Sequence, residues 1–70
     1  MVIEVFKTNV HQVEEAKMLV KTLVEHFPKY KINFDLSDCD RILRVEGENI
    51  SPQKIIELLH AGNYQCMILE

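Results

Sequence analysis

The chain has 70 residues, a length that accommodates one small domain. Hydrophobic residues make up 47% of it and charged residues 27%, proportions typical of a folded protein rather than a disordered chain. The net charge of −3 disfavours binding to nucleic acid or to an anionic membrane surface, because both are themselves negatively charged. With no apolar run of about 20 residues, no evident signal peptide and few cysteines, we expect a reduced cytoplasmic protein outside the membrane.

The first predicted strand spans Val2 to Lys7. Ile3 and Val5 alternate with Glu4, a pattern typical of a strand with one buried face, so we expect the odd positions to face the core. Phe6 then points to the opposite face of the sheet.

A long amphipathic helix is predicted next, from about Val10 to His26. Asn9 is a favoured N-cap residue, and Gln12 can close a capping box on it. Pro28 ends the helix, because the residue before a proline avoids the α-helical region. Apolar side chains recur every three or four residues and are expected to form one buried stripe: Val13, Ala16, Leu19, Val20, Leu23, Val24 and Phe27.

A β-hairpin is predicted in the middle of the chain. Lys31–Leu36 alternates cleanly between polar and apolar residues, and Arg41–Glu46 is the next strand after a polar turn at 37–40. Leu43 and Val45 are expected on one face of the second of these strands and Ile42 on the other.

The last part of the chain predicts a second helix and a final strand. Ser51 is a suitable N-cap and Pro52 suits the first helical position. Gly62 is expected just past the helix in the left-handed conformation, and Tyr64–Leu69 forms the strand, with Cys66 inward. The order β-α-β-β-α-β with right-handed crossovers predicts a ferredoxin-like α+β fold, a four-stranded antiparallel sheet with two helices on one face.

Three segments carry a resemblance to a known family: residues 41–47 (Arg-Ile-Leu-Arg-Val-Glu-Gly), residues 50–62, and the pair Tyr64 and Cys66. Together they resemble the heavy-metal-associated domain, the fold of small copper chaperones and of the N-terminal modules of metal-pumping ATPases. The resemblance covers nearly the whole chain, and it implies the same fold.

The metal site of that family is a Met-x-Cys-x-x-Cys motif between the first strand and the first helix, whose two thiolates suit Cu(I). In the register that we prefer, the Met position falls on Val10 and the Cys positions on Gln12 and Glu15. A second register puts the Cys positions on Asn9 and Gln12. Because neither register has a thiol at a ligand position, the resemblance implies the fold without thiolate-based metal transfer.

A different set of ligands in the same region is the alternative. His11 and Glu15 are four residues apart, and Gln12 lies between them, so a helix starting near Val10 brings them to one side. Cys39, in the turn expected at the same end of the sheet, could complete a site for Zn(II), Ni(II) or copper. The competing interpretation, which we prefer, is a solvated first helical turn with acidic residues at the positive end of the helix dipole.

The uncovered face of the sheet offers a second kind of site. By strand alternation we expect four apolar side chains on it, rimmed by Glu4, Arg44 and Glu46: Phe6, Ile42, Met67 and Leu69. Clustered apolar residues on an uncovered face indicate a contact with a protein partner or with a second copy of the chain.

No phosphate-binding loop, catalytic triad order or paired carboxylates are found, so we expect a non-enzymatic domain without a cofactor. The leading hypothesis is therefore a heavy-metal-associated-like domain with a degenerate metal site that acts in protein interaction or self-association. A metal carrier using His11, Glu15 and Cys39 is the alternative. A third, weaker possibility is a regulatory domain that binds a small molecule between a helix and a strand edge.

Overall fold

The computed structural model of the protein describes residues 1–37 and 41–69. The elements follow the predicted order: β1 Val2–Thr8, α1 Val13–His26, β2 Lys31–Asp35, β3 Ile42–Gly47, α2 Pro52–Ala61 and β4 Cys66–Ile68. The four strands form one antiparallel sheet in the order β2-β3-β1-β4, which confirms the ferredoxin-like α+β fold. Most of the predicted turn at 37–40, including Cys39, lies outside the described residues.

The core forms between the helices and one face of the sheet. Residues from both helices and all four strands join a single buried cluster: Phe6, Leu23, Ile32, Leu43, Val45, Ile55, Leu59 and Cys66. Because both helices pack on the same strand face, the other face of the sheet is left uncovered. We call it the open face.

The alternation in β1 is the reverse of the predicted one. Phe6 is fully buried, whereas Ile3 is 55% exposed and Val5 is half-buried. Phe6 lies directly opposite Leu43, and residues opposite each other in an antiparallel pair point to the same face. Since Leu43 belongs to the core, Phe6 does too, and its assignment to the open face was wrong.

Helix α1 begins three residues later than predicted. Its N-cap is Gln12, in extended conformation and without a side-chain capping bond, and the first turn is closed by the Ala16 N–H donating to the Gln12 carbonyl. Asn9 does not cap the helix, because its side-chain oxygen instead accepts a hydrogen bond from the Gln65 N–H at 2.8 Å. His11 therefore lies before the helix.

The buried stripe of α1 is narrower than predicted. Ala16 and Leu23 are buried, but Val13 is 56% and Val24 39% exposed. These two valines are eleven residues apart, which is close to three helical turns, so they lie on the same edge of the stripe. That edge of the helix therefore carries apolar side chains that the core does not cover.

The helix ends agree with the sequence in part. Helix α1 ends ahead of Pro28, and Ser51 and Pro52 stand at the predicted positions of α2. Gly62, however, has φ −88°, and Asn63 takes the left-handed conformation with φ 69°, so that prediction was wrong. No helix in the described ranges is long and apolar enough to span a membrane.

Candidate functional site

The loop between β1 and α1 is anchored from within. Val10, at the position that the resemblance compares with the family methionine, is fully buried. The Thr8 hydroxyl is also buried, donates to the Arg41 carbonyl at 2.6 Å and accepts from the Val10 N–H at 3.3 Å. These contacts fix the loop against the start of β3 and leave His11 and Gln12 exposed.

The Glu15 carboxylate is directed to Tyr64, whose hydroxyl donates a hydrogen bond to it at 2.8 Å. This bond, with desolvation and the negative charge of Glu15, raises the pKa of the Tyr64 phenol above its usual value of 10.0. The contact joins the first turn of α1 to the segment that follows α2. At the position compared with the second family cysteine, the chain thus has a structural hydrogen bond.

The proposed metal ligands are not brought together in the part of the chain that the structure describes. His11 precedes the helix, so the four-residue helical spacing to Glu15 on which the prediction depended does not apply. Among residues 1–37 and 41–69, no group of three or more His, Cys, Asp or Glu side chains is placed to hold a metal ion. Cys39, the fourth candidate, lies outside these ranges.

The open face divides into two halves. Over β1 and β4 it is largely apolar, and this apolar half consists of Ile3, Val5, Met67 and Leu69. Over β2 and β3 it is polar, and the polar half consists of Lys31, Asn33, Asp35, Arg44 and Glu46. Ile42 and Lys7 lie side by side along the border.

Of the four predicted contact residues, Met67 and Leu69 lie exposed on the open face, at 59% and 39%. Ile42 is on this face by register, opposite Lys7 and Asp35, but is only 5% exposed because neighbouring side chains cover it. Phe6 is absent from the face, and its place is taken by Val5 and Ile3.

Ile3 and Val5 are surface residues that the predicted alternation of β1 places in the core instead. A signal was present in the even positions, where Phe6, Thr8 and Val10 follow one another and all are buried. Phe6 has the largest apolar surface in the strand, so its burial stabilises the fold more than that of a valine.

A groove of about 350 Å3 runs between α1 and β2. Its floor and walls are mostly apolar, with one lysine and one asparagine among them: Val13, Ala16, Lys17, Val20, Ile32, Asn33, Phe34 and Leu36. The exposed edge of the α1 stripe forms one wall, and the outer strand of the sheet forms the other. Only a general possibility of a small-molecule site between a helix and a strand edge was expected from the sequence.

Comparison with known proteins adds no assignment: no protein-family model, no curated protein and no solved structure matches the chain significantly. The resemblance to heavy-metal-associated domains therefore stays a hypothesis drawn from the residues.

Proposed function

We propose that this chain is a non-enzymatic protein-binding module whose contact surface is the apolar half of the open face. The observation that supports this is that Ile3, Met67 and Leu69 are 55, 59 and 39% exposed on neighbouring strands. Isolated exposed apolar side chains are common, but a contiguous group on an uncovered sheet face is typical of a contact surface.

The composition of the face favours another folded protein as the occupant. The apolar half is flanked on β3 by Arg44, opposite Val5, and by Glu46, opposite Ile3, so charges of both signs lie beside it. An apolar centre beside a polar margin is the usual anatomy of a protein–protein interface. The partner would have an apolar patch of matching size with charges of both signs beside it.

Two methionine variants test this surface. Met67→Lys places a charge in the apolar half, whereas the control Met18→Lys makes the same change at a 70% exposed position on α1. When methyl-labelled protein is added to cell extract, we expect the signals of Ile3, Val5 and Leu69 to broaden in wild type and in Met18→Lys, and to stay sharp in Met67→Lys. Equal broadening in both variants, or broadening centred elsewhere, contradicts the proposal.

The proposal includes a degenerate metal site. Titration of reduced, metal-free protein with Cu(I), Zn(II) and Ni(II), followed by amide chemical shifts, is expected to give no saturable change at residues 10–15. Saturable binding there that disappears in His11→Ala would instead establish the carrier alternative, with His11, Gln12, Glu15 and Cys39 as its candidate ligands.

We also propose that the module acts in the cytoplasm. Its support is the composition argument, together with Cys66, which is buried and free in the fold. Fractionation of cells that express the tagged chain is expected to recover it with cytoplasmic markers, and recovery with secreted or membrane fractions would refute this location.

A further inference from the structure

The outer edge of β2 is unpaired by any other described strand. In the sheet order β2-β3-β1-β4, β2 pairs with β3 on one side only. An edge strand presents a row of backbone N–H and C=O groups that can pair with another chain. The groove between α1 and β2 lies along this edge.

The hydrogen bonds inside the sheet determine which residues of β2 face outward. The Thr8 N–H donates to the Arg41 carbonyl, so the odd residues of β3 bond β1 and the even ones, such as Arg44, bond β2. Because Arg44 lies opposite Asn33, the backbone groups of Asn33 and its odd neighbours point inward. Those of Ile32 and Phe34 therefore point to the free edge.

We propose that this edge pairs antiparallel with β2 of a second copy of the chain, about a two-fold axis at Asn33, to form a continuous eight-stranded sheet. In this register Ile32 of each copy lies opposite Phe34 of the other. Both residues have outward backbone groups, so each such pair exchanges two hydrogen bonds, roughly four in total. In a two-fold interface every contact occurs twice with the two copies exchanged, and the Ile32–Phe34 pairing satisfies this condition.

The charges on β2 select the same register. With Asn33 on the axis, Lys31 of each copy lies opposite Asp35 of the other, on the same side of the sheet. If the two-fold axis lay at Ile32 or at Phe34 instead, Lys31 of one copy would not lie opposite Asp35 of the other. Opposite charges directly across a strand pair are favourable.

The groove gives this edge apolar surface to bury. Val13, 56% exposed, and Val20 line it from α1, and the partly buried Phe34 lines it from β2. Pairing of the two β2 strands brings the grooves of the two copies side by side, with their α1 helices flanking the joined strands. The apolar side chains of each copy then help to cover the groove of the other.

This interface is separate from the open-face surface of the proposed function, so either can fail without the other. Met67→Lys tests only the partner surface. Asn33 lies on the polar half of the open face, so its variants are judged by self-association alone, where its exposed side chain faces itself across the axis.

Complementary variants at Asn33 provide the test. Asn33→Asp and Asn33→Lys each put two like charges opposite one another, and we expect the dissociation constant for self-association to rise several-fold, about fivefold, in each. An equimolar mixture of the two variants should associate at least as tightly as wild type, because the charges are then opposite. Sedimentation equilibrium measures all four samples, and amide spectra verify that the variants are folded.

Gln53→Asp and Gln53→Lys, which make the same changes at an exposed position on α2, are the controls and should self-associate like wild type. A wild-type chain that stays monomeric at every concentration would overturn the proposal. So would Asn33 variants that associate as wild type does, or a mixture no tighter than its components.

Discussion

Cys66 is the clearest case in which a single residue acquires its properties from its surroundings. It is a free thiol on the core side of β4, 6% exposed, within the buried cluster. Burial disfavours the thiolate and raises the pKa of the Cys66 thiol from 9.0 to about 12. A thiol with so high a pKa is a poor nucleophile and a poor metal ligand near neutral pH, so Cys66 acts as a small core residue.

The Cys66 pKa predicts how stability changes at alkaline pH. Between pH 9.0 and about 12 the folded protein keeps a proton that the unfolded chain has released. The contribution of the Cys66 thiol to the free energy of unfolding is therefore complete below pH 9.0. It falls as the pH rises, by at most about 1.4 kcal/mol per pH unit. Urea unfolding across the alkaline range should show a steeper loss for the wild type than for Cys66→Ala. Parallel curves for the two proteins would refute this prediction.

At the scale of elements, the orientation of β1 determines which residues form the core and which form the open face. Phe6 lies beneath the helices, and Ile3 and Val5 lie on the uncovered side. The start of α1 is a second such feature: Asn9 binds the Gln65 N–H and does not cap the helix, and the N-cap is Gln12, in extended conformation. The candidate sites of this chain depend on both features.

Substitutions in β1 should follow the observed orientation. Phe6→Ala empties a fully buried position and is expected to cost about 3–5 kcal/mol of unfolding free energy. Ile3→Ala, at a 55% exposed position, should change it by about 0.5 kcal/mol or less. Denaturant unfolding of the two variants measures the difference. The orientation predicted from the sequence requires the reverse order, so a larger loss in Ile3→Ala would contradict the fold described.

A better N-cap residue at the start of α1 should stabilise the protein. Gln12 makes no capping hydrogen bond, whereas an aspartate side chain can accept one from the N–H groups of the first turn. We expect Gln12→Asp to raise the unfolding free energy by about 1 kcal/mol, less the repulsion from Glu14 and Glu15. His11→Asp adds the same carboxylate one residue before the cap and is the control. An equal gain in both variants would show that charge, and not capping, is responsible.

At the scale of the whole molecule, the two proposed contact surfaces lie on different parts of one sheet. The apolar half of the open face lies over β1 and β4, and the self-pairing edge lies at β2. Pairing at β2 leaves the apolar halves at the two outer ends of the joined sheet. The dimer could therefore hold two partner molecules without either surface blocking the other.

Self-pairing at β2 makes thermal stability depend on protein concentration. Because association adds free energy only to the folded state, the melting temperature should rise with the concentration of wild-type chain. For Asn33→Lys the same rise should require about fivefold more protein, and the mixture with Asn33→Asp should again behave at least as the wild type does. Calorimetry over a dilution series measures this, and a constant wild-type melting temperature would argue for a monomer.

The sequence by itself determined the order of the elements, the end of α1 before Pro28, the N-terminus of α2 at Ser51 and Pro52, and the inward side of β3. These features depend on signals within a few residues: a proline, a cap, an alternating run beside a turn. Interactions between residues this close in sequence do not depend on how the rest of the chain folds, so they can be predicted from the sequence alone.

Only the tertiary structure decided the orientation of β1, the start of α1 and the relative positions of the candidate metal ligands. Each depends on a contact between distant parts of the chain: Phe6 opposite Leu43, Asn9 with Gln65, Glu15 with Tyr64. Local patterns allowed more than one outcome at these positions, since Phe6 and Val5 can each fill a core and Asn9 can cap a helix or bind a distant backbone N–H. Packing and hydrogen bonding across the fold select one of them, and so decide which surfaces remain for function.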